Sequence, residues 1–297
     1  LNQFTSIGSY AFYNCSNIIA DFSLLNDLKS IGEGTFYNCK KITGNVIIRE
    51  SVETIANSAF YYCIEMQKID GMKNVNNIGI SAFEGCSKIE GTINLASVQQ
   101  IGGAAFRNCT SVSKVTIADT INSIGTDAFE NCTGIKELTM PISLDIVGAS
   151  YPAFEGCTGM TKITLTGDDK SFEYTSSNYS KTPWYYSRNN NLEILMEEGI
   201  TSIGNYMFFQ CTGLKKVSLP SSIGKIGANA FYNCTNLGKV NVPYQATIGD
   251  NAFYNVTEIH YDGKSSGSPW GAKKVSFCQN STFTTTKAAT CQTRGSG

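Results

Sequence analysis

The residues of this 297-residue chain best suited to chemistry are eleven cysteines and one histidine. Nine of the cysteines, from Cys15 to Cys234, each follow a Phe by three residues, as in Phe60-Tyr61-Tyr62-Cys63 and Phe106-Arg107-Asn108-Cys109. No Cys-x-x-Cys pair occurs. Ligands one repeat apart would line up in a row rather than surround an ion tetrahedrally, so no metal site and no cofactor is expected. The expected role is a column of buried thiols packing as small apolar groups. Bridges between neighbouring thiols are not expected. Stacked coils hold Cβ atoms parallel and about 4.8 Å apart, whereas a disulfide needs about 3.8 Å and converging vectors. Cys278 and Cys291 lie outside the pattern, across a Thr-rich stretch. They read either as a disulfide closing a terminal cap in an oxidising compartment or as two free thiols in a loose tail. His260 sits between Ile259 and Tyr261 in a strand-like segment. Its expected neighbours, Asn241 and Ser276, do not make a nucleophile, base and orienting acid, so no catalytic residues and no enzyme are expected. Asp168-Asp169 is a weak calcium signal. Sequons such as Asn108-Cys109-Thr110 and Asn178-Tyr179-Ser180 carry little information, because most arise from the repeat itself.

The elements that position these residues repeat. Ala-Phe recurs at Ala59-Phe60, Ala82-Phe83, Ala105-Phe106 and Ala128-Phe129, and successive Phe positions from Phe36 to Phe129 lie 23 or 24 residues apart. That period marks a solenoid, one supersecondary unit per repeat stacked on its neighbours. Within the unit Leu214–Cys234, apolar residues at Leu214, Val217 and Leu219 predict a short strand with one buried face. Two units carry one extra residue around Gly44 and Gly91, which predicts a bulge. An Ile-Gly step follows in most units, and Ala56 in that slot argues for close coil-to-coil approach over positive φ. Asn or Gly two residues after most of the Phe predicts a single helical turn stopped by a left-handed residue, with Tyr62 and Gln210 as exceptions. Trp184 and Trp270 occupy the Phe slot of two later units. The whole reads as a β-rich, right-handed solenoid with a parallel concave sheet, short helical turns and about 12 repeats of 22–25 residues. One solenoid domain is expected over residues 1–277, with a longer unit at 166–183, and a tail or cap over 278–297.

Bulk composition removes other classes. Charged residues make up 16% of the chain and its net charge is −1. No basic patch is available for phosphates, so nucleic acid is not an expected partner. No apolar run reaches the roughly 18 residues of a membrane span, so no direct membrane insertion is expected. The chain opens at Leu1 inside a repeat, which reads as a mature fragment or an expressed piece of a longer protein.

Taken together, Leu-x-x-Val-x-Leu-Pro, then Ile-Gly-x-x-Ala-Phe-x-x-Cys and a Ser or Thr, resemble the BspA-like leucine-rich-repeat family over residues 4–277. That resemblance implies the curved solenoid, a place on the cell surface or outside the cell, and adhesion through a host protein or glycan. It implies no catalytic residues.

Two surfaces are candidates for such binding. Residues flanking the buried strand positions should project from the concave sheet. One column reads Lys68, Lys114, Glu137, Lys162, Ile194, Lys216, Lys239, Glu258 and Lys274. Its neighbour reads Asp70, Thr116, Thr139, Thr164, Met196, Ser218, Asn241, His260 and Ser276. A mostly Lys column could dock an acidic protein segment or an acidic glycan, or could simply keep an exposed sheet soluble. The second surface is the longer unit, where Phe172, Tyr174 and Tyr179 form an aromatic loop. Such a loop either anchors a partner or acts as a spacer that lets Trp184 replace Phe. A structural spacer that presents another domain is the competing role for the chain.

Overall fold

The computed structural model describes residues 6–18, 29–144, 152–167, 173–261, 270–278 and 291–295, with backbone alone for 277–278 and 291–295. The chain forms two compact units: Leu1–Met160 with Ser180–Ser187, and Thr161–Tyr179 with Arg188–Gly297.

In the first unit each repeat contributes one short and one longer parallel strand. The short strands Ser30–Ile31, Thr54–Ile55, Asn77–Ile78, Gln100–Ile101 and Ser123–Ile124 form a five-stranded sheet in chain order. Ile31, Ile55, Ile78, Ile101 and Ile124 stand in register, so the Ile that precedes Gly, or Ala56 in one coil, occupies one buried row. The longer strands form two wide ladders, Gly44–Ile47 with Met66–Asp70, and Gly91–Leu95 with Val112–Ile117 and Glu137–Pro141. The second unit repeats the scheme. Its short strands are Ser202–Ile203, Lys225–Ile226 and Thr247–Ile248. Its wide ladders are Lys162–Thr166, Leu192–Met196 and Leu214–Ser218, and then Val240–Val242, Ile259–Tyr261 and Lys274–Cys278. An antiparallel strand, Cys291–Gly295, runs along Lys274–Cys278. The expected bulges are present: pairing register shifts at Gly44/Asn45 and at Gly91/Thr92, where both glycines have positive φ.

The segment after Ile-Gly departs from expectation. It is a chain of turns rather than a helical turn, and the described helices are three short 3₁₀ segments. Most coils hold two left-handed residues, two before and two after the Phe, as at Ala104 and Asn108 around Phe106, whereas the Phe154 coil, with Pro152 in the first position, keeps only Gly156. Tyr62 and Gln210 adopt the same left-handed conformation as the Asn and Gly at their slot. Alternate N–H groups then serve different partners. Phe106 donates to Ala128 O in the next coil, while Arg107 and Cys109 donate to Ala104 O and Phe106 O within their own coil. A helix would have kept every bond inside the coil. This alternation lets the turn both close on itself and pair with its neighbour, as a sheet does. The Ile-Gly glycine serves close approach: a Cβ on Gly102 would lie 2.5 Å from Gly79 C, and its φ is not positive.

The Phe column is the core. In the first unit, rings from Phe12 to Phe154 stack with centroids 4.9–5.3 Å apart, and in the second unit Phe208, Phe231 and Phe253 stack at 5.2 Å. Trp184, 1% exposed, fills the Phe slot of its unit. Burying each ring contributes about 2–3 kcal/mol.

Beside it runs the thiol column. Eight of the nine repeat cysteines are buried, and Cys15 is exposed. The thiols are more than small apolar fillers. Cys39, Cys63, Cys86, Cys109, Cys132, Cys157 and Cys234 donate to the carbonyl of the Phe one coil earlier, at 3.0–3.2 Å. That carbonyl already accepts the N–H of the Cys in its own coil, as Phe106 O does from Cys109. Ser187, three residues after Trp184, takes the same slot and donates to Cys157 O at 2.7 Å. Burial pushes the thiols of Cys39, Cys157 and Cys211 up to about 12. A thiol reagent needs the thiolate and access to it, and both are withheld. Native protein treated with iodoacetamide at pH 8 should therefore be labelled at Cys15 and spared at the eight buried thiols. Fast labelling of Cys86, Cys109 or Cys132 before unfolding would refute the packed column.

Candidate functional surface

The wide ladders put the two outward columns where alternation requires. Lys162, Lys216, Lys239 and Asn241 are exposed. Lys114, Glu137, Glu258, Lys274, Thr116, Thr139, Thr164, Ser218 and His260 are half-buried. One strand overturns its expected register. Ile194 and Met196 are buried, 2% and 3% exposed, while Glu193 pairs with Lys162 on one side and Lys216 on the other. Leu195, 42% exposed, takes the neighbouring outward row. The cause is local: Leu192 and Ile194 are separated by one residue where Leu214 and Val217 are separated by two, and the register shifts between Leu192 and Glu193. Ser276 is also buried, 2% exposed, rather than presented.

Placing Glu193 in the row changes the electrostatics. The column alternates in sign and is not a strip of free ammonium groups. Lys114 pairs with Glu137 at 3.3 Å in the first unit. In the second unit Glu258 lies 3.0 Å from Lys274 and 3.5 Å from Lys239. The hydrogen bond from Lys274, aided by the nearby ammonium charges, holds the Glu258 carboxyl below the usual carboxylate range. Such half-exposed pairs add little stability, up to about 1 kcal/mol each. Their larger effect is to cancel the field that a polyanion would need. The neighbouring row is neutral and hydrogen-bonding: Asn94, Thr116 and Thr139 stand in register, as do Asn241 and His260. At one place the first unit's surface is concave. Lys68, Asp70, Lys73, Thr92, Asn94 and Ser97 line an open cleft of about 650 Å³ beside the turn Met72–Asn74. Lys68 and Asp70 pair there at 3.0 Å.

His260 meets the expected neighbours. Nδ1 lies 3.1 Å from Ser276 Oγ, and Asn241 is its register partner. Ser276 is buried and also bonds Ile259 O, so its hydroxyl is not presented to a substrate. Among the described residues no group of His, Cys, Asp and Glu is arranged to hold a metal ion, and no helix is long and apolar enough to cross a membrane.

The aromatic loop is packed rather than presented. Tyr174 is 4% exposed, and its N–H donates to Asn205 O. Tyr179 sets its ring edge-on to Phe209 at 4.8 Å, and its hydroxyl donates to Gln210 at 3.3 Å. Glu173 accepts the Asn205 N–H at 2.7 Å and pairs with Lys225 at 3.3 Å. The loop is laid along the coil 205–210, where the Tyr174 ring is buried and the Tyr179 ring half-buried. Phe172, Asp168 and Asp169 lie outside the described residues.

One surface feature escaped the sequence reading. The residue after each Phe forms a column of its own. Tyr13, Tyr37 and Tyr61 stack at 4.8 and 4.4 Å, and in the second unit Phe209, Tyr232 and Tyr254 stack at 5.0 and 4.5 Å. Where the aromatics stop in the first unit, Glu84, Arg107 and Glu130 continue the column as an ionic ladder. Writing the repeats one beneath another at that slot would have exposed it. A row of Asn side chains lies alongside: Asn38 donates to Asn14 at 2.9 Å and Asn131 to Asn108 at 3.3 Å.

The BspA type leucine rich repeat region matches residues 1–97, 91–183 and 180–266. No curated protein shows significant similarity to the chain. Among solved structures, a leucine-rich repeat protein from Bacteroides ovatus shares 21% identity over 86% of this chain and 82% of that one, with TM-score 0.43. A leucine rich cell surface protein from Faecalibacterium prausnitzii shares 20% over 78% and 76%, with TM-score 0.37. A leucine rich repeat protein from T. pallidum shares 20% over 66% and 78%, with TM-score 0.41. With its period, its stacked Phe and Cys columns and the family match over most of its length, the chain belongs to the BspA-type leucine-rich-repeat family.

Proposed function

We propose that this chain is a non-enzymatic binding surface, carried outside the cell or on its surface, that holds a protein or a glycan partner for adhesion. The observation that carries this reading is the wide-strand face. Lys, Glu, Thr and Asn side chains stand there in rows set by strand register, on a frame whose core is the Phe and Cys columns. Rigid placement of polar groups lowers the ordering cost of binding. The alternation of Lys with Glu favours a partner of mixed charge, such as a protein segment, over a uniform polyanion.

The test is a binding screen of the purified chain against extracellular-matrix proteins, mucins and acidic glycans at low and high salt. A protein ligand whose affinity falls several-fold in the variant carrying both Lys216→Ser and Lys239→Ser supports the reading. A ligand indifferent to those changes, and to substitutions in the Thr row, removes the face from consideration. The second reading, a spacer that presents another domain, is favoured by the same ion pairs, because lysines neutralised in place serve solubility. It expects no ligand at either salt concentration.

A further inference from the structure

Cys278 and Cys291 stand apart from the other nine cysteines in topology as well as in sequence. Every repeat cysteine belongs to a rung that meets its neighbours in parallel, and seven of the buried thiols are committed to a carbonyl one coil away. The last two lie on strands that run antiparallel. Lys274–Cys278 and Cys291–Gly295 pair over five positions, from Lys274 opposite Gly295 to Cys278 opposite Cys291. The two cysteines are direct register partners, at the end of the pair where the two strands are nearest in sequence.

Directly opposed residues in an antiparallel pair have Cα atoms about 4.5 or 5.5 Å apart, depending on the hydrogen-bonding position. Both spacings fall within the roughly 4.4–6.8 Å that a disulfide bridges without backbone movement. A shift of register by one residue would break the match and turn one side chain to the other face. The strand Cys291–Gly295 also has a definite task. It covers the edge of Lys274–Cys278, which is paired on its other side with Ile259–Tyr261. An uncovered edge strand is a template for adding a foreign strand. A chain-terminal strand held along a sheet edge by hydrogen bonds on one side alone is prone to fray, and a covalent tie at one end would hold it in place.

We propose that Cys278 and Cys291 form a disulfide that locks this C-terminal strand over the sheet edge, making the edge cover redox-sensitive. The bond forms by thiol–disulfide exchange with a small-molecule disulfide of the oxidised-glutathione class. One thiolate attacks the reagent's S–S bond, giving a mixed disulfide and releasing one reduced thiol. The second cysteine then displaces the other reagent thiol. The protein loses two protons and two electrons, and the reagent gains both as two thiols. The eight buried repeat thiols, out of reach of the reagent, do not compete, which leaves Cys15 as the one accessible rival.

The experiment uses the full chain folded with oxidised glutathione, digested without reduction and mapped by mass spectrometry. The expected result is a linked peptide pair joining Cys278 to Cys291, two hydrogens lighter than the separate peptides. Amide exchange across Lys274–Cys278 should then be slow in the oxidised protein and speed up severalfold on mild reduction, with the Phe-column coils unchanged. Cys291→Ser should leave Cys278 open to maleimide and reproduce the fast exchange of the reduced protein. Cys278 and Cys291 both free in folded, oxidised protein would overturn the proposal, as would either of them bonded to Cys15. A linked pair whose reduction leaves edge exchange unchanged would overturn the locking role.

Discussion

Phe106→Ala should lower the unfolding free energy by about 3–5 kcal/mol, the range for truncating a fully buried ring. Phe106 is 0% exposed and lies midway along its stack, 5.2 Å from Phe83 and 5.2 Å from Phe129. The substitution removes the burial of one ring and both ring contacts, and the coils on either side, hydrogen-bonded to one another, close over the gap only in part. In a solenoid each coil touches only its neighbours, so the loss is local but interrupts the chain of interfaces through which folding propagates. Urea unfolding followed by circular dichroism measures it. Phe12→Ala is the internal control. Phe12 is half-buried and has one described stacking partner, Phe36, so its loss should cost less. Equal losses at Phe106 and Phe12, or a loss below about 1 kcal/mol at Phe106, would rule out the stack as the principal core.

The second large effect is expected at Arg107. Its Nε and Nη2 both reach Glu84 Oε1, at 2.9 and 2.5 Å, and its Nη1 lies 3.6 Å from Glu130. The Glu84 side chain is only 4% exposed. Arg107→Ala leaves that carboxylate buried with its charged partner gone, which in a closed interior costs about 3–5 kcal/mol. The Arg107 side chain is 37% exposed, so solvent screens the pair, and about 2–3 kcal/mol is the expected loss. The double variant with Glu84→Leu and Arg107→Leu should recover most of it, because removing both charges also removes the cost of burying them. A thermodynamic cycle over Glu84→Leu, Arg107→Leu and the double variant reads the coupling directly. Additive single losses would show that the two residues act separately and that the ladder is incidental.

The core was legible because its signal is repeated. Phe60, Phe83, Phe106 and Phe129 recur at constant spacing, and each is fully buried in a stack. Gly44 and Gly91 announced their bulges as single inserted residues. The turn after Ile-Gly was misread because Asn at Phe+2 ends a helical turn and also suits a left-handed corner between rungs. The second left-handed residue, two before Phe, is Ser81, Ala104, Asp127 or Asn229 in different coils and carries no common residue type. The candidate face was half legible. Lys114 and Glu137 stand in register in the first unit, and in the second Lys162 and Lys216 flank one strand, where one missing residue put Glu193 between them and Ile194 in the core. Tyr174 and Tyr179 looked like exposed anchors because sequence shows aromatic character, and whether a ring meets solvent depends on a coil some thirty residues later.

By itself, the sequence determined the period, the buried columns and the parallel stacking, since a repeat that cannot bury its apolar face alone must bury it against the next copy. Only the tertiary structure decided which residues meet across rungs: Glu84 with Arg107, Cys109 with the Phe83 carbonyl, Glu193 with Lys216, Cys278 opposite Cys291. The physical reason is one of range. Spacing along the chain sets the face on which a side chain lies, whereas its partner is set by rung alignment, which a single residue gained or lost can shift.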